Sequence, residues 1–234
     1  MHDLHWIMPI TTWSSTDAAA PKLDFVDPMV RRRLSTLSKM ALAVAQDCVR
    51  ARSEVRLVFA SRHGELSRTT EILRDIASNQ AVSPNAFSLS VMNAMPGIFS
   101  IARGDRAAAT AVSCGPETLG YAMLEAYALY ATDPSTPVLL VYSDEPADGV
   151  FGHVDHEVAR GALAILLDAT QQPIGNLSCI VNHPAPLTAA STSTHERSCA
   201  TQSDAVQACL DQRSTSVWHG PNATWQWEWN DIAA

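Results

Sequence analysis

Ala107 to Tyr130 reads AAATAVSCGPETLGYAMLEAYALY. Ala108 to Ser113 is a short run of small and β-branched residues, Cys114-Gly115-Pro116 is a turn, and a helical pattern runs from Pro116 to Tyr130. Pro116 suits a first helical position, where its missing N–H would lack a partner anyway. A strand that enters a helix through so tight a turn is an elbow, the place where many α/β folds hold a nucleophile. Cys114 lies in that elbow, and a helix N-terminus favours the thiolate, which makes it a candidate nucleophile. A working thiol also needs a base or an orienting group. His63, His153 and His156 follow turns, but no spacing ties any of them to Cys114. The plainer reading of Cys114 is a small buried residue packed under the helix.

Outward from the elbow the same alternation repeats. Val55–Ala60 (VRLVFA) and Val138–Ser143 (VLLVYS) are continuous apolar runs of strand length. Between them lie helical patterns. Val30–Arg52 places Leu34, Leu37, Ala41, Val44 and Cys48 on one face. Leu66, Thr70, Leu73, Ile76 and Ala77 mark a second helix, with Glu71 and Arg74 on its wet side. Ser83-Pro84-Asn85 is a breaker, and a short helix is expected within Phe87–Ala102. Strands alternating with helices predict an α/β fold with a mixed, mainly parallel sheet covered by helices on both faces.

The ends of the chain add to this. His5–Ile10 reads as a first strand and Thr11–Pro28 as a loop. Ala162–Leu167 and Leu177–Val181 are two more strands. The Gln171-Gln172-Pro173 link is too short for a helical crossover, so the two are expected to pair antiparallel. Residues 1–182 are read as one domain and 183–234 as an extension packed on it. The extension begins with a connection, Pro184–Arg197, rich in Ser, Thr, Ala and Pro and expected to be mobile, followed by a short helix at Asp204–Asp211. In the closing ATWQWEW, Trp225, Trp227 and Trp229 share one face of a strand. Three indoles either cap the domain's own core or meet another chain, since tryptophan is enriched at interface centres.

Composition narrows the function classes. The chain has 234 residues, 47% hydrophobic and 17% charged, which suits a core-rich globular protein. Net charge is −8, and Arg31-Arg32-Arg33 is the single basic cluster, read as a solvated helix start with local ion pairs. A nucleic-acid partner is not expected, because phosphate binding needs a concentrated positive face. The five cysteines, Cys48, Cys114, Cys179, Cys199 and Cys209, form no Cys-x-x-Cys pair. They suggest neither zinc nor a disulfide framework, and free thiols fit a reducing cytoplasm. The N-terminus lacks a basic region and a sustained apolar run, so no signal peptide is expected, and no segment has the length of a membrane span.

Three polar clusters have both a chemical and a plain reading. His153-Val154-Asp155-His156-Glu157 resembles a metal-ligand run, but Gly149, Gly152 and Gly161 argue for a solvated loop, and no third ligand follows at a known spacing. Arg62-His63-Gly64-Glu65 lies at the C-terminal end of a parallel strand, where open α/β sheets place chemistry; an Arg62–Glu65 ion pair fixing the turn is the plain alternative. Asp144-Glu145 ends another strand and reads first as part of a turn rather than as an acid/base pair. No metal or cofactor is expected.

At this point the chain resembles a family. Val30-Arg31-Arg32-Arg33-Leu34 before an alanine-rich helix, Ser90-Val91-Met92-Asn93-Ala94-Met95-Pro96-Gly97, the Ala109-Thr110-Ala111 approach to the elbow, and Gly161-Ala162 before LAILLD follow in the order of the N-terminal half of a β-ketoacyl-ACP synthase of the thiolase superfamily. The resemblance covers about Leu4 to Val181 and is nearest to the truncated, synthase-like chain length factors of aryl polyene (xanthomonadin-type) biosynthesis. It implies a thiolase-like half. Two departures from the synthase pattern stand out. Aligning Gly115 and Gly120 with the family's elbow glycines puts Val112 at the position of the active cysteine, and a valine cannot form a thioester; a shift of two residues restores Cys114 and loses both glycine matches. The paired catalytic histidines, or histidine and asparagine, and the lysine of a synthase lie in a second half. The roughly 50 residues after Val181 are expected to hold one helix and a strand rather than that half.

The resemblance therefore implies no catalysis by this chain. It implies pairing with an active β-ketoacyl-ACP synthase through the strand that enters the elbow. Val91, Met92 and Met95, with Val112 and Cys114, are the acyl-tunnel and interface candidates, against ordinary packing beneath a helix. A bulkier side chain there would shorten the tunnel and limit the product. Acyl carrier proteins are typically acidic, so the partner is expected to do the carrier docking. Two other classes stand beside this one: a thiol acyltransferase or hydrolase using Cys114, and a binding module presenting the tryptophan strand.

Overall fold

A computed structural model describes residues 3–18, 20–50, 54–183 and 198–232. The strands are β1 (Leu4–Ile10), β2 (Thr12–Thr16), β3 (Arg56–Ala60), β4 (Ala109–Val112), β5 (Val138–Asp144), β6 (Gly161–Leu167), β7 (Gly175–Asn182), β8 (Ser216–His219) and β9 (Thr224–Asn230). The helices are α1 (Pro28–Arg31), α2 (Thr36–Val49), α3 (Leu66–Ala77), α4 (Pro84–Ser88), α5 (Ala94–Arg103), α6 (Thr118–Thr132) and α7 (Gln202–Gln212), with 3₁₀ turns at Gly115–Glu117 and Gly149–Phe151.

The strands form two sheets, a five-stranded one in the order β2-β6-β5-β3-β4 and a four-stranded one in the order β1-β7-β9-β8. Parallel pairing is confined to β4-β3-β5; β6 returns antiparallel on β5, and the β5–β6 connection holds no α-helix to carry a crossover. The fold is thus mixed α/β as expected, with a smaller parallel share than the alternation suggested. The expected β6–β7 pair does not form: β6 pairs with β5 and β2, while β7 pairs with β1 and β9. Both short links cross between sheets at one corner. Thr11 joins β1 to β2 there, its N–H donating to the Leu166 carbonyl at 2.9 Å and its hydroxyl accepting from the Asp168 N–H at 3.1 Å. The stretch read as a loop from Thr11 contains β2, whose polar Thr-Trp-Ser-Ser-Thr pairs with β6 as a half-exposed edge.

The layers follow from which faces are apolar. α2 and α5 cover one face of the five-stranded sheet, where Leu37, Met40, Ala41, Val44, Phe59, Val141 and Phe99 form one core. On its other face α6 packs against β3 and β5, and it meets β1 of the second sheet on its far side. α7 lies on β8 and β9. A second core fills the space between the sheets. Trp225, Trp227 and Trp229 point into it and are buried, so the tryptophan strand is core rather than an exposed interface. The other face of the four-stranded sheet carries His5 and Ile7, both exposed.

Two helical expectations change. The pattern over Val30–Arg52 splits into α1 and α2, because Ser35 caps a new helix by accepting the Ser38 N–H at 3.0 Å; residues 51 and 52 lie outside the described residues. α3 has the expected bounds, but Leu73 and Ile76 are exposed while Thr70 and Ile72 are buried. The Pro184–Arg197 connection lies outside the described residues.

Candidate functional site

The C-terminal ends of β3, β4 and β5 lie side by side, and one carboxylate organises them. Asp144 is fully buried at the end of β5. Its oxygens accept from the Ser61 hydroxyl at 2.8 Å, the Arg62 N–H at 2.6 Å and the His63 N–H at 3.0 Å. Gly64 (φ +57°) closes this turn by donating its N–H to Ser61 Oγ at 2.8 Å. The elbow is tied to the same turn, since Ser113 Oγ donates to the Arg62 carbonyl at 3.1 Å. Burial pushes the Asp144 carboxyl up, against the pull of those donors. The sequence marked Asp144 as one of a pair in a turn, but burial and three donors converging from β3 depend on the sheet register.

Arg62 and Glu65 do not pair with each other. Arg62 donates to the carbonyls of Asp155 (3.0 Å) and His156, holding the β5–β6 loop. Glu65, the residue before α3, is buried against the start of α2, where Ser35 Oγ and Ser38 Oγ donate to it at 2.7 and 2.6 Å; the Arg68 guanidinium lies 3.4 Å away. The histidines expected after turns are dispersed. His63 Nε2 meets Glu157 Oε1 at 2.7 Å; His153 is exposed with Asp155 at 3.0 Å; His156 (φ +51°) has its ring against Trp218. Among the described residues no group of three or more His, Cys, Asp and Glu side chains could hold a metal ion.

At the elbow, Val112 is half-buried at the end of β4 and Cys114 is exposed, so the expectation of a cysteine buried under the helix is corrected. Gly115 (φ +60°) makes the turn in a conformation that suits glycine. The Cys114 N–H donates to Thr118 Oγ1 at 2.9 Å, and that hydroxyl donates to the Gly115 carbonyl at 2.7 Å. Among the described residues no hydrogen bond reaches the Cys114 sulfur. Two residues that the sequence did not single out complete the site. Glu117 is buried in the turn and accepts the Asn222 N–H at 3.2 Å; Gln202, buried on α7, accepts the Gly120 N–H at 3.0 Å. An acidic residue in the first turn of a helix is a local signal for Glu117, whereas Gln202 comes from a distant helix and leaves none.

Of the remaining candidates, Val91 is exposed, Met92 is half-buried, and Met95 is buried in the core with Phe99. β4 is the edge of its sheet, and Ala109, Thr110 and Ala111 are exposed along it. A cavity of about 210 Å³ lies beside this edge, lined by Asn93, Pro96, Gly97 and Ser100 of the α5 region.

The model of the β-ketoacyl synthase N-terminal domain matches residues 6–228. The chain belongs to that family. This synthase-family chain matches no curated protein. It is similar in fold to a solved complex of the ketosynthase ApeO with its chain length factor ApeC from Xenorhabdus doucetiae, with TM-score 0.74, 24% identity, and 95% of this chain and 99% of that chain covered. It is similar to the ishigamide ketosynthase/chain length factor, with TM-score 0.58, 12% identity, and 86% and 82% of the two chains covered. Against the ketosynthase from module 1 of the bacillaene synthase of Bacillus amyloliquefaciens the TM-score is 0.50 at 11% identity, covering 80% of this chain and 38% of that one. Among the described residues, no helix of this synthase-family chain is long and apolar enough to cross a membrane.

Proposed function

We propose that the chain is a non-catalytic chain length factor. It pairs with an active β-ketoacyl-ACP synthase and helps shape that enzyme's acyl tunnel in aryl-polyene-type synthesis in the cytoplasm. The observation that carries this reading is the open edge of β4. An edge strand offers unpaired N–H and C=O groups to another chain unless something blunts it. Here it carries no charge and no proline from 109 to 112, and the α4–α5 region exposes Phe87, Val91 and Ile101, the last at 83%. The fold likeness to complexes of ketosynthases with chain length factors supports the same reading.

Chemistry at the elbow points the same way. A valine at 112 offers no nucleophile, and the exposed Cys114 has no histidine against it among the contacts of the described residues. Val91, Met92 and Val112 are the side chains assigned to the partner's tunnel, and Met95 supports them from the core. The net charge of −8 leaves carrier docking to the partner. The test is co-expression of the full chain with a full-length β-ketoacyl-ACP synthase. A stable complex is expected, with condensation only in the complex, full rate in Cys114→Ala, and altered product lengths in Val91→Trp. Condensation by the chain alone, loss of rate in Cys114→Ala, or the absence of a complex overturns the reading; an unchanged product distribution in Val91→Trp removes the tunnel role.

A further inference from the structure

The first turn of a helix carries N–H groups with no partner inside the helix, and these attract developing negative charge. In an elbow that works on acyl groups, such donors must be free to meet the reacting carbonyl. In this chain one of them, that of Gly120, is met from within, and the space around it is filled. Gln202 Oε1 accepts the Gly120 N–H at 3.0 Å. Trp225 lies so close over Gly120 that a Cβ there would stand 2.3 Å from its ring. Glu117 puts a carboxylate into the same turn, held by the Asn222 N–H at 3.2 Å. All three contacts reach back to α7 or to the segment 222–225.

Gln202 adds a further sign that this position is demanding: its Nε2 is buried without a hydrogen-bond partner. Such a group costs stability and needs an explanation.

We propose that the elbow is plugged from within: Gln202 of α7 and the Asn222–Trp225 segment occupy the N-terminal end of α6, the end an acyl carbonyl would approach. The inference deepens the reading of the chain as non-catalytic and rests on it, but it does not depend on a partner; complex formation is measured separately, so the two fail independently.

Hydrogen exchange on the full wild-type chain reads the plug directly. The Gly120 and Asn222 amides are expected to be protected like those of the central strands, and exchange at exposed-loop rates overturns the proposal.

Discussion

Gly120, Gly175 and Gly220 each lie under a tryptophan ring. A Cβ added to them would stand 2.3 Å from Trp225, 2.0 Å from Trp229 and 2.4 Å from Trp218, respectively. These distances are too short for any real contact, and the rings are locked in the core. Gly120 is the informative case because two effects oppose there. Alanine is better than glycine inside a helix by about 1 kcal/mol, while overpacking a tight core costs about 1–3 kcal/mol and occasionally more. With a ring at 2.3 Å the steric term wins. Gly120→Ala is expected to lower stability by about 2 kcal/mol in urea unfolding, and Trp225→Phe is expected to recover part of that loss in the double variant. A Gly120→Ala protein as stable as wild type would show that Trp225 does not pack there. The sequence offered Gly115 and Gly120 as an equivalent pair of elbow glycines. Their reasons differ: Gly115 needs a positive φ, and Gly120 needs the absence of a side chain.

Among the elements, β4 has two unlike edges. The Leu57 N–H donates to the Ala108 carbonyl and the Ser61 N–H to the Val112 carbonyl, so the even-numbered residues bond to β3. By alternation, the N–H groups of Ala109 and Ala111 point away from the sheet. Ala111→Pro removes one outward donor and leaves the β3 ladder intact, which edge strands tolerate. The variant is expected to fold with a melting temperature within a few degrees of wild type and to lose the proposed complex with a synthase in size-exclusion chromatography. Retention of the complex would move the interface off this edge. α3 shows a different limit at this scale. Its periodicity and bounds are readable from the sequence, yet Leu73 and Ile76 face solvent. A helical period states that two faces differ; which of them meets the protein depends on what is packed nearby.

Across the whole molecule, the β5–β6 loop is tied back to the β3–α3 turn, and the tie titrates. Burial pushes the Glu157 carboxyl up, but hydrogen bonds from His63 and from the Val158 and Ala147 N–H groups outweigh it and hold the group below the usual carboxylate range. A depressed value means that the unfolded chain takes up the proton first. Its contribution is therefore full above about pH 4.5, the ordinary glutamate range, and fades as pH falls through the folded value. Asp144 has the opposite sign: its raised value makes ionisation costly to the fold, and that cost is relieved as pH falls through the folded value. Glu157 is partly exposed, so its share is modest. Glu157→Gln is expected to cost about 1 kcal/mol at neutral pH in urea unfolding, with the gap to wild type closing below about pH 4. A gap that persists in acid would mean that packing rather than charge holds the loop.

The alternation of apolar runs with helical periods determined that this is an α/β chain, and it located β1, β3, β4, β5, β6 and β7 near their actual positions, because both signals are local. Order and spacing of short motifs carried the synthase-family resemblance for the same reason. Pairing across the chain was not legible. Whether β6 returns onto β5 or joins β7, and whether the tryptophan strand faces its own core or another protein, depend on residues far apart in sequence meeting in one register. The elbow divides along the same line. Its strand, turn and helix are written in 24 consecutive residues, whereas the buried Asp144, the Glu117–Asn222 contact and the Gln202 cap come from segments that only the assembled layers bring together. Local sterics and hydrophobic period fix the first kind of feature; long-range burial and hydrogen-bond satisfaction fix the second.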